Sequence, residues 1–225
     1  MKMRGMLLIP FKSMATAKQR LSDALDAEQR SQFAEAMLRD VLAAAAGVKG
    51  RIDVAIVTGD SRAQEIAKKL GFLIIEDEQN ESETAAIEMA TECCEQRGYD
   101  TTIVVPADIP LITHQELNHV LDVAPEQGAV FVPAYDGRGS NCVLRRPASL
   151  IPLRFGNDSF LPHCEAMTKT GNELIILEMP GIGLDIDNPH ELEILVQRDG
   201  NTQAQTLLRS WGFGHRQLDR WEAAV

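Results

Sequence analysis

Thr102-Ile103-Val104-Val105-Pro106-Ala107-Asp108-Ile109-Pro110-Leu111 is the stretch from which the fold can be read. A short β-branched run stops at a proline, and an acid follows between two prolines. Such a run, bounded by Pro and Asp, reads as a buried strand whose carboxyl end presents a rigidly held carboxylate. Working outward, runs of the same kind recur at Met6–Ile9, Val54–Val57, Phe72–Ile75, Ala129–Val132, Cys142–Leu144 and Leu174–Leu177. Helical patterns lie between them. Phe33, Met37 and Val41, with Leu38 and Leu42, form an apolar stripe at helical spacing. Ser61 is placed to cap a helix reaching Leu70, with Gly71 as its stop. Thr84–Gln96 and Thr113–Val123 read the same way, and Pro189–Trp211 reads as two helices. The alternation predicts an α/β fold with a mostly parallel central sheet, helices on both faces, and a β-hairpin added around Gly137 and Gly139. No repeat or linker divides the chain, so one domain over 1–225 is expected. Its catalytic core would span about 6–198, with a C-terminal helical tail over about 199–225.

The chain has 225 residues and a net charge of -11, which opposes general affinity for nucleic acid or an anionic membrane. An anionic substrate must therefore meet a local cluster of cations. Cys93, Cys94, Cys142 and Cys164 fit neither a disulfide framework nor a zinc site, so reduced thiols are expected. Met1–Pro10 is too soon interrupted for a secretion signal, and no apolar run approaches about 18 residues. A cytoplasmic protein is the expectation. Leu207, Leu208, Trp211 and Phe213 read as exposed apolar residues in the tail, which leaves a homodimer open.

In open α/β sheets ligands bind beyond the carboxyl ends of the strands, which selects the loops that matter. The loop after the first run, Pro10–Leu21, carries Lys12, Lys18 and Arg20, the cations a triphosphate needs. It lacks the glycines of a P-loop and of a dinucleotide fingerprint. Asp108 is a candidate Mg²⁺ ligand. Asp185 and Asp187 form a D-x-D pair whose carboxylates share one side if the backbone is extended. Such neighbours repel unless a cation or hydrogen bonds relieve them. Asp187 could instead cap the helix from Pro189, which leaves Asp185 unexplained. Gly137-Arg138-Gly139-Ser140-Asn141 and Arg154–Phe160 are candidate anion cradles, the second by virtue of Ser159 at a helix start. A tight turn and a plain cap are the simpler readings of those two loops.

Taken together, five blocks resemble the 2-phospho-L-lactate guanylyltransferase family, including its phosphoenolpyruvate and 3-phosphoglycerate relatives. They are Pro10, Lys12, Lys18, Arg20 and Leu21; Pro106–Leu111; Asp136–Asn141; Arg154–Ser159; and Leu184–Pro189. The resemblance runs over roughly Met6–Leu195. It implies a nucleotidyltransferase fold of the glycosyltransferase-A type and a role in making the deazaflavin coenzyme F-420. It implies Mg²⁺ on Asp108, Asp185 and Asp187, the acceptor phosphate on Ser140, Gly156 and Ser159, and the GTP triphosphate on Lys12, Lys18 and Arg20. Pro10, Thr58 and Asp60 would line the nucleotide side. Where the family often carries G-L-N-x-A, this chain has Ser82-Glu83-Thr84-Ala85-Ala86, and the resemblance puts that loop, with Glu83 and Thr84, on the nucleotide side as well. Glu83 could accept from the N1–H and N2–H₂ edge of guanine. Two other readings use the same residues: a nucleotidyltransferase for a sugar phosphate or molybdopterin, whose glycine-rich first loop is absent here, and a non-catalytic nucleotide-sensing module.

Overall fold

The computed structural model describes residues 3–15, 17–79, 81–156 and 158–214. Seven strands form one sheet: β1 (Gly5–Pro10), β2 (Asp53–Val57), β3 (Leu73–Ile75), β4 (Thr101–Val104), β5 (Gly128–Pro133), β6 (Ser140–Arg146) and β7 (Glu173–Ile176). Their order is β3-β2-β1-β4-β6-β5-β7. β1 runs parallel to β2 and β4, β2 to β3, and β5 to β7, while β6 is antiparallel to both of its neighbours. The expected hairpin is present as β5–β6, added to the parallel strands beside β4. β6 is inserted between β4 and β5, because Cys142, Val143 and Leu144 are apolar toward both faces and are fully buried only inside the sheet.

The strand alternation sorts the core into two layers. Leu7, Ile9, Ile103, Val130, Val132, Cys142 and Leu144 meet α1 (Ala27–Ala46), α2 (Ser61–Lys69) and α4 (His114–Val123) on one face. Met6, Leu8, Val104, Ala129, Phe131 and Val143 meet α3 (Glu83–Gln96) and α5 (Phe160–Thr170) on the other. Two helix starts differ from expectation by one residue. Asp60, not Ser61, caps α2, since its carboxylate reaches both Arg62 N and Ala63 N. α3 begins at Glu83 because Ser82 Oγ accepts from Ala85 N.

A third apolar cluster joins the start of the chain to its end. Leu21, Leu25, Phe33 and Met37 pack with Leu184, Ile186, Leu192, Leu195 and Leu208, the last four from or beside α6 (Pro189–Gln197) and α7 (Gln203–Ser210). Thr202 caps α7 in a reciprocal box with Gln205, and Asp40 of α1 adds to the cap by accepting from Gln203 N at 2.8 Å and Ala204 N at 2.9 Å. Leu207, Trp211 and Phe213 pack against the same cluster. The described part of the tail, residues 199–214, thus packs on the core, and the apolar residues that left a homodimer open are engaged within the chain. Residues 215–225 of the expected tail, with His215 and Trp221, lie outside the described residues. Among the described residues no helix is long and apolar enough to cross a membrane.

Candidate active site

The segment before α6 returns to the end of the sheet where β4 finishes. Ile186 N donates to Asp108 O at 3.0 Å, so the D-x-D segment lies directly against the turn after β4. Ile186 is fully buried, and Asp185 and Asp187 on either side of it both face the cleft. Asp187 does not cap α6. Asn188 does, accepting from His190 N and Glu191 N, while Glu191 holds Asp187 N and Asn188 N in return. That reciprocal cap frees the Asp187 carboxylate and fixes its direction. Glu191 was not singled out in the sequence, although its position three residues after Asn188 is the capping-box signature. Asn141, the last residue of the expected glycine-loop cradle, ties that loop to the D-x-D segment: its Nδ2 reaches Ile182 O, Gly183 O and Asp185 Oδ1, each at 3.0 Å.

Lys18 is the centre of the site. Its Nζ lies 2.7 Å from Asp108 Oδ2 and 2.8 Å from Asp187 Oδ1, and its side chain is only 9% exposed. Burial opposes its charge, but the two carboxylates outweigh burial and raise its pKa. The Lys18 backbone is left-handed at φ 54°, a conformation a lysine adopts only where its surroundings hold it there. Arg20 Nη1 lies 3.4 Å from the other oxygen of Asp187.

Two clefts open from this point. One, of about 210 Å³, is lined by Pro10, Lys12 and Ser13 from the first loop and by apolar Phe11, Met37 and Val57. The other, of about 560 Å³, carries Asp136, Ser140, Gly156, Ser159, Asp185 and Asp187. Lys18, Glu83, Pro106 and Asp108 line both. The structure therefore brings Asp108, Asp185, Asp187, Lys18, Arg20, Ser140, Gly156 and Ser159 together, with Pro10 and Lys12 in the adjoining cleft. Lys12 Nζ donates to Glu81 O at 3.4 Å, tying the first loop to the acidic loop before α3.

Three expected nucleotide-side residues serve the framework instead of facing a cleft. Thr58 is fully buried, and its Oγ1 accepts from Asp60 N. Asp60 Oδ2 accepts from Met14 N at 3.0 Å, which anchors the first loop to the start of α2. Thr84 Oγ1 accepts from Phe155 N at 3.0 Å and so fixes the loop before α5. Glu83 stands at the junction of the clefts, where burial and the neighbouring Asp108 push its pKa up to about 7.

The wall of the larger cleft is built on buried His163 of α5. Ser140 Oγ lies 2.9 Å from His163 Nδ1, Arg154 N donates to Nε2 at 3.0 Å, and Ser140 N donates to Ser159 Oγ at 3.0 Å. Ser159 precedes α5 without capping it, so its hydroxyl belongs to the cleft. Arg138 and Asp158 pair across the mouth. Burial, then Arg145, lowers the His163 pKa from 6.5 to about 4. Above pH 6.5 the ring is neutral in both folded and unfolded chains, and its contribution to stability is complete. Between pH 6.5 and about 4 only the unfolded chain takes up the proton, so stability falls with pH by up to roughly 3 kcal/mol. His163→Phe should flatten that acid slope, read as the change in urea midpoint between neutral pH and about pH 4.5.

The donor set suits a hard divalent cation. Among the described residues Asp108 Oδ1 is buried with no hydrogen-bond partner, and Asp185 is pushed up to about 6 by burial and by Asp108. Carboxylates at Asp108, Asp185, Asp187 and Glu83 outnumber the one cation buried among them. As placed, among the described residues no three such side chains are gathered tightly enough to hold a metal ion, since the Lys18 ammonium stands between Asp108 and Asp187.

The order of this sheet, with a cationic loop after β1 and Asp108 after β4, is an architecture shared with solved nucleotidyltransferases. The same architecture is found in a protein from Desulfovibrio desulfuricans assigned as a nucleotide-diphospho-sugar transferase (TM-score 0.76, 20% identity, 92% of this chain and 95% of that one). A cytidylyltransferase from Leptospira borgpetersenii shares it at TM-score 0.60 and 15% identity, over 92% of this chain and 93% of that one. The chain belongs to the guanylyl transferase CofC like family, which matches residues 5–219. It is 33% identical over 204 residues to the phosphoenolpyruvate guanylyltransferase of Roseiflexus castenholzii, covering 91% of this chain and 93% of that one. It is 31% identical over 211 residues to the 2-phospho-L-lactate guanylyltransferase of Methanothermobacter thermautotrophicus, covering 94% and 92%.

Proposed function

We propose that the protein transfers GMP from GTP to the phosphate of a small phosphorylated acid and releases pyrophosphate, in the making of coenzyme F-420. The acid is 2-phospho-L-lactate, phosphoenolpyruvate or 3-phospho-D-glycerate. The observation that carries this reading is the meeting of two unlike clefts at Lys18 and Asp108: a smaller one with apolar walls beside the cationic loop, and a larger polar one ending in paired serines. The first suits a nucleotide and the second a compact anion, so their junction is where the α-phosphorus and the acceptor phosphate would meet.

An oxygen of the acceptor phosphate attacks the α-phosphorus in line. The new P–O bond forms as the bond to the bridging oxygen breaks, and pyrophosphate leaves with its electron pair. The attacking oxygen is already anionic, so no strong base is required. Lys12, Lys18 and Arg20 neutralise the triphosphate, Ser140, Gly156 and Ser159 hold the acceptor phosphate, and Pro10 shapes the nucleotide cleft. Mg²⁺, held by Asp108 and Asp185 with Asp187 shared with Lys18, would supply charge neutralisation at the reacting oxygens. Catalysis is then positioning and electrostatics.

Nucleic acid and membranes are not partners in this reading, as the net charge of -11 opposes both. The free thiols of Cys93, Cys94, Cys142 and Cys164 suit the cytoplasm. Pyrophosphate release with GTP, measured for each of the three acids with and without Mg²⁺, tests the proposal. Release with one acid and Mg²⁺ is expected; no release with any acid would overturn it. Glu83, expected from the sequence to read the guanine edge, stands instead at the junction beside Lys18 and Asp108, so Glu83→Gln should change the preference for GTP over ATP by less than about twofold. A tenfold fall in that preference would return Glu83 to base selection.

A further inference from the structure

We propose that His163 is a positioning residue of the acceptor cleft, which fixes the Ser140 hydroxyl as a proton donor toward the bound phosphate. The proposal rests on the acceptor site of the reading above. The Arg154 backbone N–H can only donate, so at 3.0 Å His163 Nε2 must accept and carries no proton. In the neutral ring the proton is then on Nδ1. Nδ1–H faces Ser140 Oγ at 2.9 Å, and that oxygen accepts. The serine's own proton is left to point elsewhere.

Ser159 is treated in the same way, because its Oγ accepts from Ser140 N at 3.0 Å. Among the described residues neither hydroxyl donates to another protein group, and both residues line the larger cleft while being almost wholly buried. Two O–H donors therefore converge there beside Gly156, whose φ of +126° and open surroundings leave its backbone accessible. A phosphate offers only acceptor oxygens, so a cleft furnished with donors selects it. The opposite tautomer would draw the Ser140 proton to the ring and turn lone pairs toward the anion. Phe131 and Phe155 hold the ring in place, with centroids 5.9 and 5.8 Å from it. Burial keeps the ring neutral, with its pKa lowered to about 4.

The tautomer is tested directly on the full-length protein by the nitrogen-15 shifts of the His163 imidazole at neutral pH. Protonated Nδ1 with bare Nε2 is expected, and protonated Nε2 would overturn the proposal. Kinetics of three variants test the consequence. In His163→Gln and His163→Phe the donor to Ser140 is lost, and KM for the acid should rise about tenfold while KM for GTP stays within about twofold. His163→Asn can set an amide N–H near the place of Nδ1, and its KM for the acid should stay within about threefold of the parent. An equal loss in all three variants, or a rise in KM for GTP matching that for the acid, would overturn the proposal. If the parent protein released no pyrophosphate with any acid, the assigned reaction would fail, while the nitrogen-15 result would still decide the tautomer.

Discussion

Asp108→Asn should lower the rate of pyrophosphate release by roughly a thousandfold and leave the fold intact. The effect on rate comes from charge. Asp108 lines both clefts, bonds Lys18 through Oδ2 and keeps Oδ1 buried, without a partner among the described residues. Asparagine preserves an oxygen for Lys18 but removes the negative charge that a divalent cation needs. The fold is spared because the attachment of the D-x-D segment runs through the Asp108 backbone carbonyl, which the substitution does not touch. The change in stability should stay within about 2 kcal/mol, since asparagine keeps an acceptor for Lys18 and the lysine's charge stays paired with Asp187. A thermal melt and a pyrophosphate assay on the same preparation check both halves. Vigorous release by the variant would remove Asp108 from the reaction.

Lys18→Met should cost about a hundredfold or more in turnover, and it should also cost stability. The lysine is the one cation wedged between Asp108 and Asp187, at 2.7 and 2.8 Å. Methionine keeps most of its length and its apolar stem, so packing is largely conserved. It leaves two carboxylates facing one another with only the partly exposed Arg20 nearby. Because those carboxylates are 28% and 40% exposed, water screens part of the repulsion, and the loss should be about 1–2 kcal/mol, below that of a fully buried pair. Chemical unfolding gives the stability change and single-turnover kinetics the rate. A variant with full turnover and lowered stability would make Lys18 a structural clamp only.

Much of this site was legible because its parts are local. The run ending at Pro106-Ala107-Asp108 and the D-x-D pair announce strand ends and carboxylates through composition over a few residues. The cations of the first loop are evident in the same way. What connects them is not local. Lys18 meets Asp108 and Asp187 only because β1 and β4 are sheet neighbours and the C-terminal segment returns across α1. The position of β6 between β4 and β5 depends on pairing partners far apart in the chain. The choice of Asp60 over Ser61, and Asn188 over Asp187, as caps turns on backbone angles at adjacent residues of equal capping ability. His163 gave no motif, since its importance lies in two contacts to residues on either side of it in the fold. The tail looked exposed because nothing near Leu208 reveals that Asp40 adds to the cap of its helix.

The central claim is that the guanylyl group, and not the terminal phosphoryl group, passes to the acid. GTP labelled at the α-phosphorus, compared with GTP labelled at the γ-phosphorus, tests this most directly when each is incubated with Mg²⁺ and the accepted acid. The α label is expected in a new product containing the acid, and the γ label is expected to leave in pyrophosphate. Transfer of the γ label to the acid, or its release as inorganic phosphate with no α-labelled product, would contradict it.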